Sequence, residues 1–322
     1  MDEAIKYISK IEIKGLFGDD ALRVWDLHPK VNILSGPNGS GKSTVLRYVY
    51  EVAIHEFIDH PYKIEDVILT FDNGQTLKFY EIAPYHMVDD LPSPQPPTKD
   101  KSPKLTTGLV LRSVKVPPVD FIKPLDNQLL SIEAVQKLSD ERVKTDLDWL
   151  LYKVQQKYLR YQIHIGKIVH KLAENNGSKM QERLQEISRP KAKFIEIIND
   201  VFAYTDKKIN EETDDISFFI GDKSISAYDL SSGEKQILII LLTTLTQEQK
   251  PTILIMDEPE ISIHFDVQKK LISYIRELNP NVQIILATHS PAIIMDGWMD
   301  NVSEISDLIV HDNQEAVLEN AE

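Results

Sequence analysis

The amino-acid sequence contains no cysteine among its 322 residues. This absence excludes disulfide bonds, a thiol nucleophile, cysteine-ligated zinc and iron–sulfur clusters. Long apolar stretches are also missing, since the longest apolar run, Ile237–Leu242, is far too short to cross a bilayer. The acidic N-terminal segment does not resemble a secretory signal. We therefore expect a soluble, cytoplasmic protein that does not use a membrane.

Positive charge is in deficit, with 36 Lys and Arg against 50 Asp and Glu and a net charge of −14. Such a balance argues against nonspecific attraction of the whole surface to nucleic acid. The hydrophobic content of 42% and the charged content of 27% are those of a globular protein with a sizeable core. The length predicts about two domains.

The hydrophobic pattern divides the chain into an α/β block at 1–125, a helical lobe at 126–215 and a second α/β block at 216–322. In the lobe, apolar residues recur at helical intervals. Breaks at 174–179 and 187–191 predict two or three helices, which are too short and interrupted for a long coiled-coil arm.

Strand patterns dominate the first block. Residues 10–15 alternate as in an edge strand, and 31–35 form a short, mostly apolar run typical of a central parallel strand. Two strand patterns at 66–71 and 76–82 flank Asn73-Gly74, which predicts a hairpin. The Pro-rich residues 91–107 predict a mobile loop, with an extended partner-binding segment as the alternative.

The second block alternates strands and helices. Residues 252–256 and 282–287 have the composition of buried strands, and 266–278 predict an amphipathic helix between them. A short helix at 291–299 and a last strand at 307–310 complete the predicted pattern. Two α/β blocks interrupted by helices predict one discontinuous nucleotide-binding core with an inserted lobe.

A glycine-rich loop follows the strand at 31–35 and precedes a helical pattern. Its sequence, Gly-Pro-Asn-Gly-Ser-Gly-Lys-Ser-Thr at 36–44, matches G-x-x-x-x-G-K-[ST]. The glycines let backbone N–H groups form a concave anion site, and the helix N-terminus adds partial positive charge. Lys42 is predicted to reach the β- and γ-phosphates, Ser43 to ligate Mg²⁺, and Thr44 to bind on the α-phosphate side. The candidate nucleotide-binding residues are Gly36, Asn38, Gly39, Ser40, Gly41, Lys42, Ser43 and Thr44; a glycine-rich turn without a ligand is the alternative.

Two carboxylates end the buried strand that follows the lobe. Asp257 is predicted to hold Mg²⁺ through water, and Glu258 to take a proton from the attacking water. The alternative is a solvated turn closing a strand. His289 follows the next strand, at the strand end where α/β sheets bind ligands, and is assigned to the γ-phosphate or the attacking water. His264 is either functional or the cap of the helix that starts near Asp266.

Residues 230–236, Leu-Ser-Ser-Gly-Glu-Lys-Gln, complete a set of motifs. With the phosphate loop, Asp-Glu-Pro-Glu and Thr-His-Ser, they make the chain resemble the ABC-type ATPases. The resemblance implies an α/β, P-loop NTPase core of the ABC type with an inserted helical lobe, and ATP and Mg²⁺ as cofactors. In that family the signature Ser and Gly contact the γ-phosphate held by the opposite subunit. Ser231, Gly233 and Lys235 are therefore expected to act on the nucleotide of a second copy, while Ser232 replaces the usual first glycine.

Within the superfamily, residues 258–264, Glu-Pro-Glu-Ile-Ser-Ile-His, resemble the E-P-E-x-x-L-H pattern of small SMC-like and OLD-like ATPases. Transporter ATPases usually have Leu-Asp at the last two positions. Two residues of the family pattern are not assigned by a motif. Gln128 is the candidate for the glutamine that links Mg²⁺ to the lobe. Trp25 and Phe17 are both candidates for the residue that stacks on adenine.

The resemblance also implies partners. It predicts a homodimer closed head to tail around two Mg·ATP, which works as a switch for an effector, as in anti-phage systems of the Septu and retron types. Because the chain ends about thirty residues beyond His289, a nuclease or toxin effector is expected to be a separate protein. The ATPase subunit of a membrane transporter, and an assembly protein that barely hydrolyses ATP, remain as alternatives.

The lobe carries its own charge pattern. Residues 151–196 contain ten Lys and Arg against four Glu, with tyrosines interleaved. This local excess predicts a face for nucleic acid or an acidic partner. The alternative is an ordinary solvated helix face with the tyrosines packed underneath.

Overall fold

A computed structural model describes residues 4–56, 64–81, 108–111, 114–124, 141–174, 180–213 and 215–310. The helices of these ranges are α1 (Lys42–Ile54), α2 (Asp146–Glu174), α3 (Met180–Val201), α4 (Ser232–Leu245), α5 (Phe265–Leu278) and α6 (Pro291–Met295). The strands are β1 (Ile8–Lys14), β2 (Leu22–Asp26), β3 (Val31–Ser35), β4 (Asp66–Phe71), β5 (Thr76–Glu81), β6 (Gly108–Leu111), β7 (Val119–Ile122), β8 (Lys207–Ile209), β9 (Ser217–Ile220), β10 (Lys223–Ser226), β11 (Thr252–Asp257), β12 (Val282–Ala287) and β13 (Val302–Glu304). None of the described helices is both long and apolar enough to cross a membrane.

The chain folds as two compact units. One comprises Met1–Pro29, Gly36–Val119 and Ser303–Glu322; the other comprises Lys30–Ser35 and Asp120–Val302. The helices of the lobe belong to the second unit, together with the strands of the C-terminal block. The division of the sequence at 125 and 215 stays a prediction.

The first unit is built on an antiparallel sheet with the order β2-β1-β4-β5-β6, against which α1 packs. The predicted hairpin is present as β4 and β5, with Gly74 at a φ of 78° in its turn. The edge position predicted for residues 10–15 is wrong, because β1 lies between β2 and β4. The alternation of apolar and polar residues shows that one face of the strand is buried and the other is open. Inner antiparallel strands have this pattern as well as edge strands. Residues 91–107 lie outside the described residues.

A mostly parallel sheet with the neighbouring strands β3, β12, β11 and β7 forms the centre of the second unit. β11 and β12 are buried along their whole length, as the apolar runs at 252–256 and 282–287 predict. α2 and α3 pack against α4, and the buried residues of all three join one hydrophobic core. The amphipathic helix predicted at 266–278 is α5, which buries Val267, Leu271, Ile275 and Leu278.

The helical lobe differs from its prediction at one point. α3 continues for 22 residues through Pro190, so the break predicted at 187–191 is wrong. Proline in a helix interior removes a hydrogen bond and strains the turn, but the half that follows it is anchored by buried Phe194, Ile197 and Ile198. The last buried residue of α2 is Tyr161, and the first buried residue of α3 is Phe194.

The end of the described chain also differs from its prediction. Residues 307–310 do not form a strand; a short 3₁₀ helix covers Ile305–Leu308, and β13 precedes it. Ile309 makes a single bridge to Arg23 of β2. The apolar run Leu308, Ile309 therefore packs at the side of the first unit without extending a sheet.

Candidate functional site

The glycine-rich loop begins directly after β3, and α1 begins at its lysine. Gly36, Gly39 and Gly41 have φ values of 143°, 78° and 103°, which glycine adopts far more readily than other residues. Lys42 is buried, and its Nζ donates to the carbonyl oxygens of Gly36 at 2.9 Å and Pro37 at 3.0 Å. The loop thus curls around its own lysine, which is held at the N-terminus of α1.

Two of the loop glycines leave no room for a side chain. A Cβ on Gly36 would lie 2.8 Å from Ile305 Cγ2, and one on Gly41 would lie 2.8 Å from the ring of Phe17. Ser40 Oγ is buried and has no hydrogen-bond partner in the described ranges. A glycine-rich loop before a helix N-terminus, with a lysine and an unpaired hydroxyl, fits the phosphates of a nucleotide. The tip residues Asn38 and Gly39 and also Ser43 are exposed, while Thr44 is half-buried.

The two candidate aromatic residues differ in accessibility. Phe17 is 47% exposed, has a φ of 62° and lies beside the loop. Trp25 is buried on β2, and its Nε1 donates to Ser303 Oγ at 3.0 Å. Because the indole of Trp25 is packed inside the first unit, Phe17 is the better candidate for adenine stacking. Gln128 lies outside the described residues.

The parallel strands of the second unit end at one edge. Leu34 of β3 pairs with Ala287 of β12, which pairs with Asp257 of β11. Asp257 is buried, whereas the next residue, Glu258, turns into the left-handed region with a φ of 45°. His289 Nε2 lies 3.4 Å from Glu258 Oε1, and both side chains are about one-third exposed. The register therefore brings a buried carboxylate, an exposed carboxylate and an imidazole to the same edge.

A second glutamate, for which the sequence motifs predict no role, organises this edge. Glu260 Oε1 accepts hydrogen bonds from Thr288 Oγ1 at 2.6 Å, from the N–H of His289 at 2.9 Å and from the N–H of Ser290 at 3.1 Å. Its signal in the sequence is the third position of Glu-Pro-Glu, directly beyond the candidate base. Glu260 joins the turn after β11 to the turn after β12.

The signature turn is a helix cap. Ser231 Oγ accepts from the N–H of Glu234 at 3.3 Å, and Glu234 Oε2 accepts from the N–H of Ser231 at 2.9 Å, forming a capping box at the start of α4. Burial alone raises the pKa of Glu234, but hydrogen bonds from Lys207 and Ser231 hold that pKa below its usual value. Ser231 Oγ also donates to Glu234 Oε2 at 2.9 Å, and the residue remains exposed.

Behind the cap, α4 is tied to α2. Lys235 Nζ donates to Asp148 Oδ1 at 2.8 Å, and Asp148 Oδ2 accepts from the N–H groups of Lys144 and Thr145. Burial alone raises the pKa of Asp148, and these hydrogen bonds, that of Lys235 first, bring the pKa below its usual value. The ammonium group expected to act on a second copy is thus bonded within its own chain.

Two further residues of the motifs have structural explanations. A Cβ on Gly233 would lie 1.9 Å from the carbonyl oxygen of Ser262, so the signature turn and the turn after β11 are in backbone contact. His264 precedes α5, and its Nδ1 accepts from the N–H of Asp266 at 3.4 Å. Its ring also stacks on Tyr204 at 5.3 Å. The capping alternative for His264 therefore holds.

One face of α2 carries a row of basic side chains. Its members are spaced by four and three residues, so they share a helix face, and all of them are exposed. We call this row the basic stripe; it comprises Lys153, Lys157, Arg160, His164, Lys167 and Lys171. No Asp or Glu occurs from residue 149 to residue 173. Asp120 contacts Lys157 at 3.0 Å and Glu248 contacts His164 at 3.1 Å. Burial and the charges of Lys123 and Lys157 lower the pKa of Lys153.

Comparison with known proteins places the chain among ATPases. The family profile described as AAA ATPase domain matches residues 48–294, starting inside α1 beyond the glycine-rich loop. The chain is similar to the Retron Vc95 probable ATPase of Vibrio cholerae serotype O1 biovar El Tor, with 26% identity over 186 residues that cover 53% of this chain and 35% of that protein. An uncharacterized ABC transporter ATP-binding protein of Haemophilus influenzae is 38% identical over 65 residues, covering 20% of this chain and 24% of that protein. The matches thus span about a third and a quarter of these relatives.

A solved structure shows the same fold. The SmcHead bound to the C-winged helix domain of ScpA matches with a TM-score of 0.53 and 15% identity, over 90% of this chain and 91% of that chain. At this identity the likeness is one of fold. It confirms the predicted α/β, P-loop ATPase architecture.

Proposed function

The chain belongs to the AAA ATPase domain family, and from this premise we propose that it binds Mg·ATP at the glycine-rich loop and hydrolyses it to ADP and phosphate. The observation that carries the proposal is the loop itself, with its three left-handed glycines and its lysine at the start of α1. The strand ends of the second unit supply the carboxylates and the imidazole that hydrolysis needs.

Each residue has a role in this proposal. Lys42 exchanges its two carbonyl partners for the β- and γ-phosphates, which are stronger acceptors because they are charged. Ser43 would ligate Mg²⁺ and Asp257 would hold the ion through water, and the ion would neutralise phosphate charge. Glu258 takes the proton of the attacking water, and His289 beside it contacts the γ-phosphate or that water.

We place Ser231 and Gly233 at the nucleotide of a second copy, so that ATP closes a head-to-tail dimer and hydrolysis opens it. The exposure of Ser231 and the partial positive charge at the start of α4 support this role. The closed and open states act as a switch for a separate effector, a nuclease or toxin. A role in anti-phage defence is proposed from the resemblance to retron-type ATPases, with which the similarity to the Retron Vc95 probable ATPase agrees.

The variant Glu258→Gln tests the proposal. We expect ATP binding to persist and turnover to fall by roughly 10²–10⁴-fold, as for removal of a general base. ATP should shift the wild-type chain from monomer to dimer in light scattering, and the variant should remain dimeric with ATP. Unchanged turnover contradicts the base assignment, whereas an association state that ignores ATP contradicts the sandwich. Negligible wild-type turnover favours the assembly alternative, and ATPase activity that requires a membrane permease favours the transporter.

We further propose that the basic stripe binds the phosphate backbone of double-stranded nucleic acid. With a rise of 1.5 Å per residue, the stripe runs for about 27 Å along α2, a length comparable to about eight base pairs. Five of its members are Lys or Arg, while Asp120 contacts Lys157 and Glu248 contacts His164. A continuous row of cations in a chain of −14 fits a long, regular array of phosphates.

Charge reversal of Arg160→Glu with Lys167→Glu tests the stripe. We expect duplex affinity, measured by fluorescence anisotropy, to fall at least about tenfold and the slope of log affinity against log salt to shrink by about two. Lys208→Glu with Lys223→Glu makes the same charge change at exposed positions of β8 and β10 and should leave both quantities unchanged. Equal losses in the two double variants contradict a specific stripe. If polyglutamate binds as tightly as the duplex, the partner of the stripe is an acidic protein instead.

A further inference from the structure

We propose that Glu260 is a positioning residue for hydrolysis: its carboxylate holds the turn that carries His289 against the turn that carries Glu258. The inference rests on the proposed function, because it assigns the consequence of this positioning to the hydrolytic step. Glu260 Oε1 accepts hydrogen bonds from neighbouring protein groups, so its effect on hydrolysis is exerted through the position of His289.

Three donors converge on one oxygen of Glu260. Two of them are the backbone N–H groups of His289 and Ser290, and the third is the hydroxyl of Thr288. An ionised carboxylate offers the lone pairs and the charge to accept all three. Because two bonds go to the main chain, Glu260 fixes the position from which the imidazole of His289 extends.

The same turn is held from its other side. Ser290 Oγ donates to Gln268 Oε1 at 2.6 Å, and Gln268 Nε2 donates to the carbonyl oxygen of Ile263 at 2.8 Å. The N–H of Ile263 in turn donates to the carbonyl oxygen of Glu260 at 2.9 Å. The turns after β11 and β12 are therefore joined in one closed network, with Glu260 at its centre.

Glu258 is anchored independently of this network. Its N–H donates to the carbonyl oxygen of Ala287 at 2.9 Å, a ladder bond of the last β11–β12 pair, Asp257 with Ala287. Removing the Glu260 side chain should therefore release His289 while leaving Glu258 in place. The 3.4 Å separation of the imidazole and the carboxylate is the distance that depends on Glu260.

One oxygen of the half-buried Glu260 points to a task other than stability. Its second oxygen, Oε2, is buried and has no hydrogen-bond partner in the part of the chain that the structure describes. A carboxylate oxygen without a partner is costly to bury, so an apolar residue would serve packing better. The retained charge is explained by the three donors that it gathers at the edge of the site.

The test compares Glu260→Ala and Glu260→Gln with Glu212→Ala, an exposed glutamate of the same unit, in the full chain. For Glu260→Ala we expect kcat to fall by about 10- to 100-fold with KM little changed, the range for a misplaced catalytic group. Glu260→Gln keeps an acceptor at Oε1 and should recover part of the loss. Glu212→Ala should match wild type.

Two measurements distinguish a positioning role of Glu260 from a general loss of folding and from a failure of the proposed function. On a Glu258→Gln background, Glu260→Ala should cost little further turnover, because both changes act on one step. Without nucleotide, the ring resonances of His289, assigned with His289→Gln, should move in Glu260→Ala and stay in Glu212→Ala.

Unmoved His289 resonances overturn the inference, and so does equal loss of ATP affinity and turnover with a lowered unfolding midpoint. If Glu258→Gln hydrolyses ATP as fast as wild type, the proposed base is wrong. The His289 resonances still decide the role of Glu260 in that case, since they are recorded without hydrolysis.

Discussion

Gly233 lies where the signature turn meets the backbone of the turn after β11. The atom that opposes it is the carbonyl oxygen of Ser262, which is main chain and cannot rotate away as a side-chain end can. Ser262 itself has a φ of 63°, so that turn is already in a conformation that side chains disfavour. The glycine of the signature therefore has a packing role in the isolated chain, besides the phosphate contact proposed for it.

Gly233→Ala should destabilise the protein by about 1–3 kcal/mol or more, because the added methyl group forces two backbone segments apart. The matched control is Gly166→Ala, at an open position of α2 where a Cβ meets nothing within 4 Å. That change should stabilise the helix by about 0.5–1 kcal/mol. Urea unfolding midpoints of the two variants should move in opposite directions; a shift of both in one direction contradicts the packing argument.

Sequence patterns predict a role for those residues whose candidate partners are close along the chain. The loop glycines, Lys42 and the acids at 257 and 258 follow one another in short motifs, so their neighbours are visible along the chain. The partners of Glu260 and Lys235 are 28 and 87 residues away. Only the fold brings Thr288 and Asp148 to them, which is why the sequence predicted a second subunit for Lys235 and no role for Glu260.

At the scale of elements, period and burial made most strands and helices predictable. β11, β12 and α5 appear where apolar runs or a helical stripe predict them, because each buries those residues against one core. The errors arise where packing between elements overrides local preference. Pro190 is carried inside α3 by the buried residues that follow it, and β1 shows that alternation does not report which side of a strand is paired.

The basic stripe illustrates the same limit on one helix. The intervals between Lys153, Lys157, Arg160 and Lys167 are present in the sequence and are typical of a solvated helix face, but they do not show what that face binds. The structure leaves the stripe exposed and buries Tyr158 and Tyr161 of the same helix, which is the packing that the alternative of a solvated helix face predicts, and binding of a ligand to the stripe stays a proposal. Burial raises the pKa of each tyrosine to about 12, so the two hydroxyls stay protonated at neutral pH.

For the whole molecule, the proposed site is incomplete in one copy. A single chain carries one phosphate loop and one signature, and the resemblance assigns them to two different nucleotides in a two-fold dimer. If two chains complete the site, a variant defective in the phosphate loop and a variant defective in the signature should complement each other. If a single chain completes the site, they should not.

Mixing two inactive variants tests the composite site. Lys42→Ala loses the lysine of the phosphate loop, and Ser231→Arg should keep ATP binding but block closure with the bulk of its side chain. A mixed dimer pairs the intact loop of the Ser231→Arg chain with the intact signature of the Lys42→Ala chain. Turnover should therefore return to roughly a quarter of wild type, since about half of the dimers are mixed and each has one intact site.

The control mixes Lys42→Ala with Glu258→Gln, which are assigned to the same half of the site. Each chain of that mixed dimer then lacks either the lysine or the base of its own half, so no intact site forms and turnover should stay at the level of the separate variants. Recovery in both mixtures would point to subunit effects other than a shared nucleotide. Recovery in neither mixture, with ATP still bound by Ser231→Arg, would mean that Ser231 caps α4 and takes no part in the nucleotide site of a second copy.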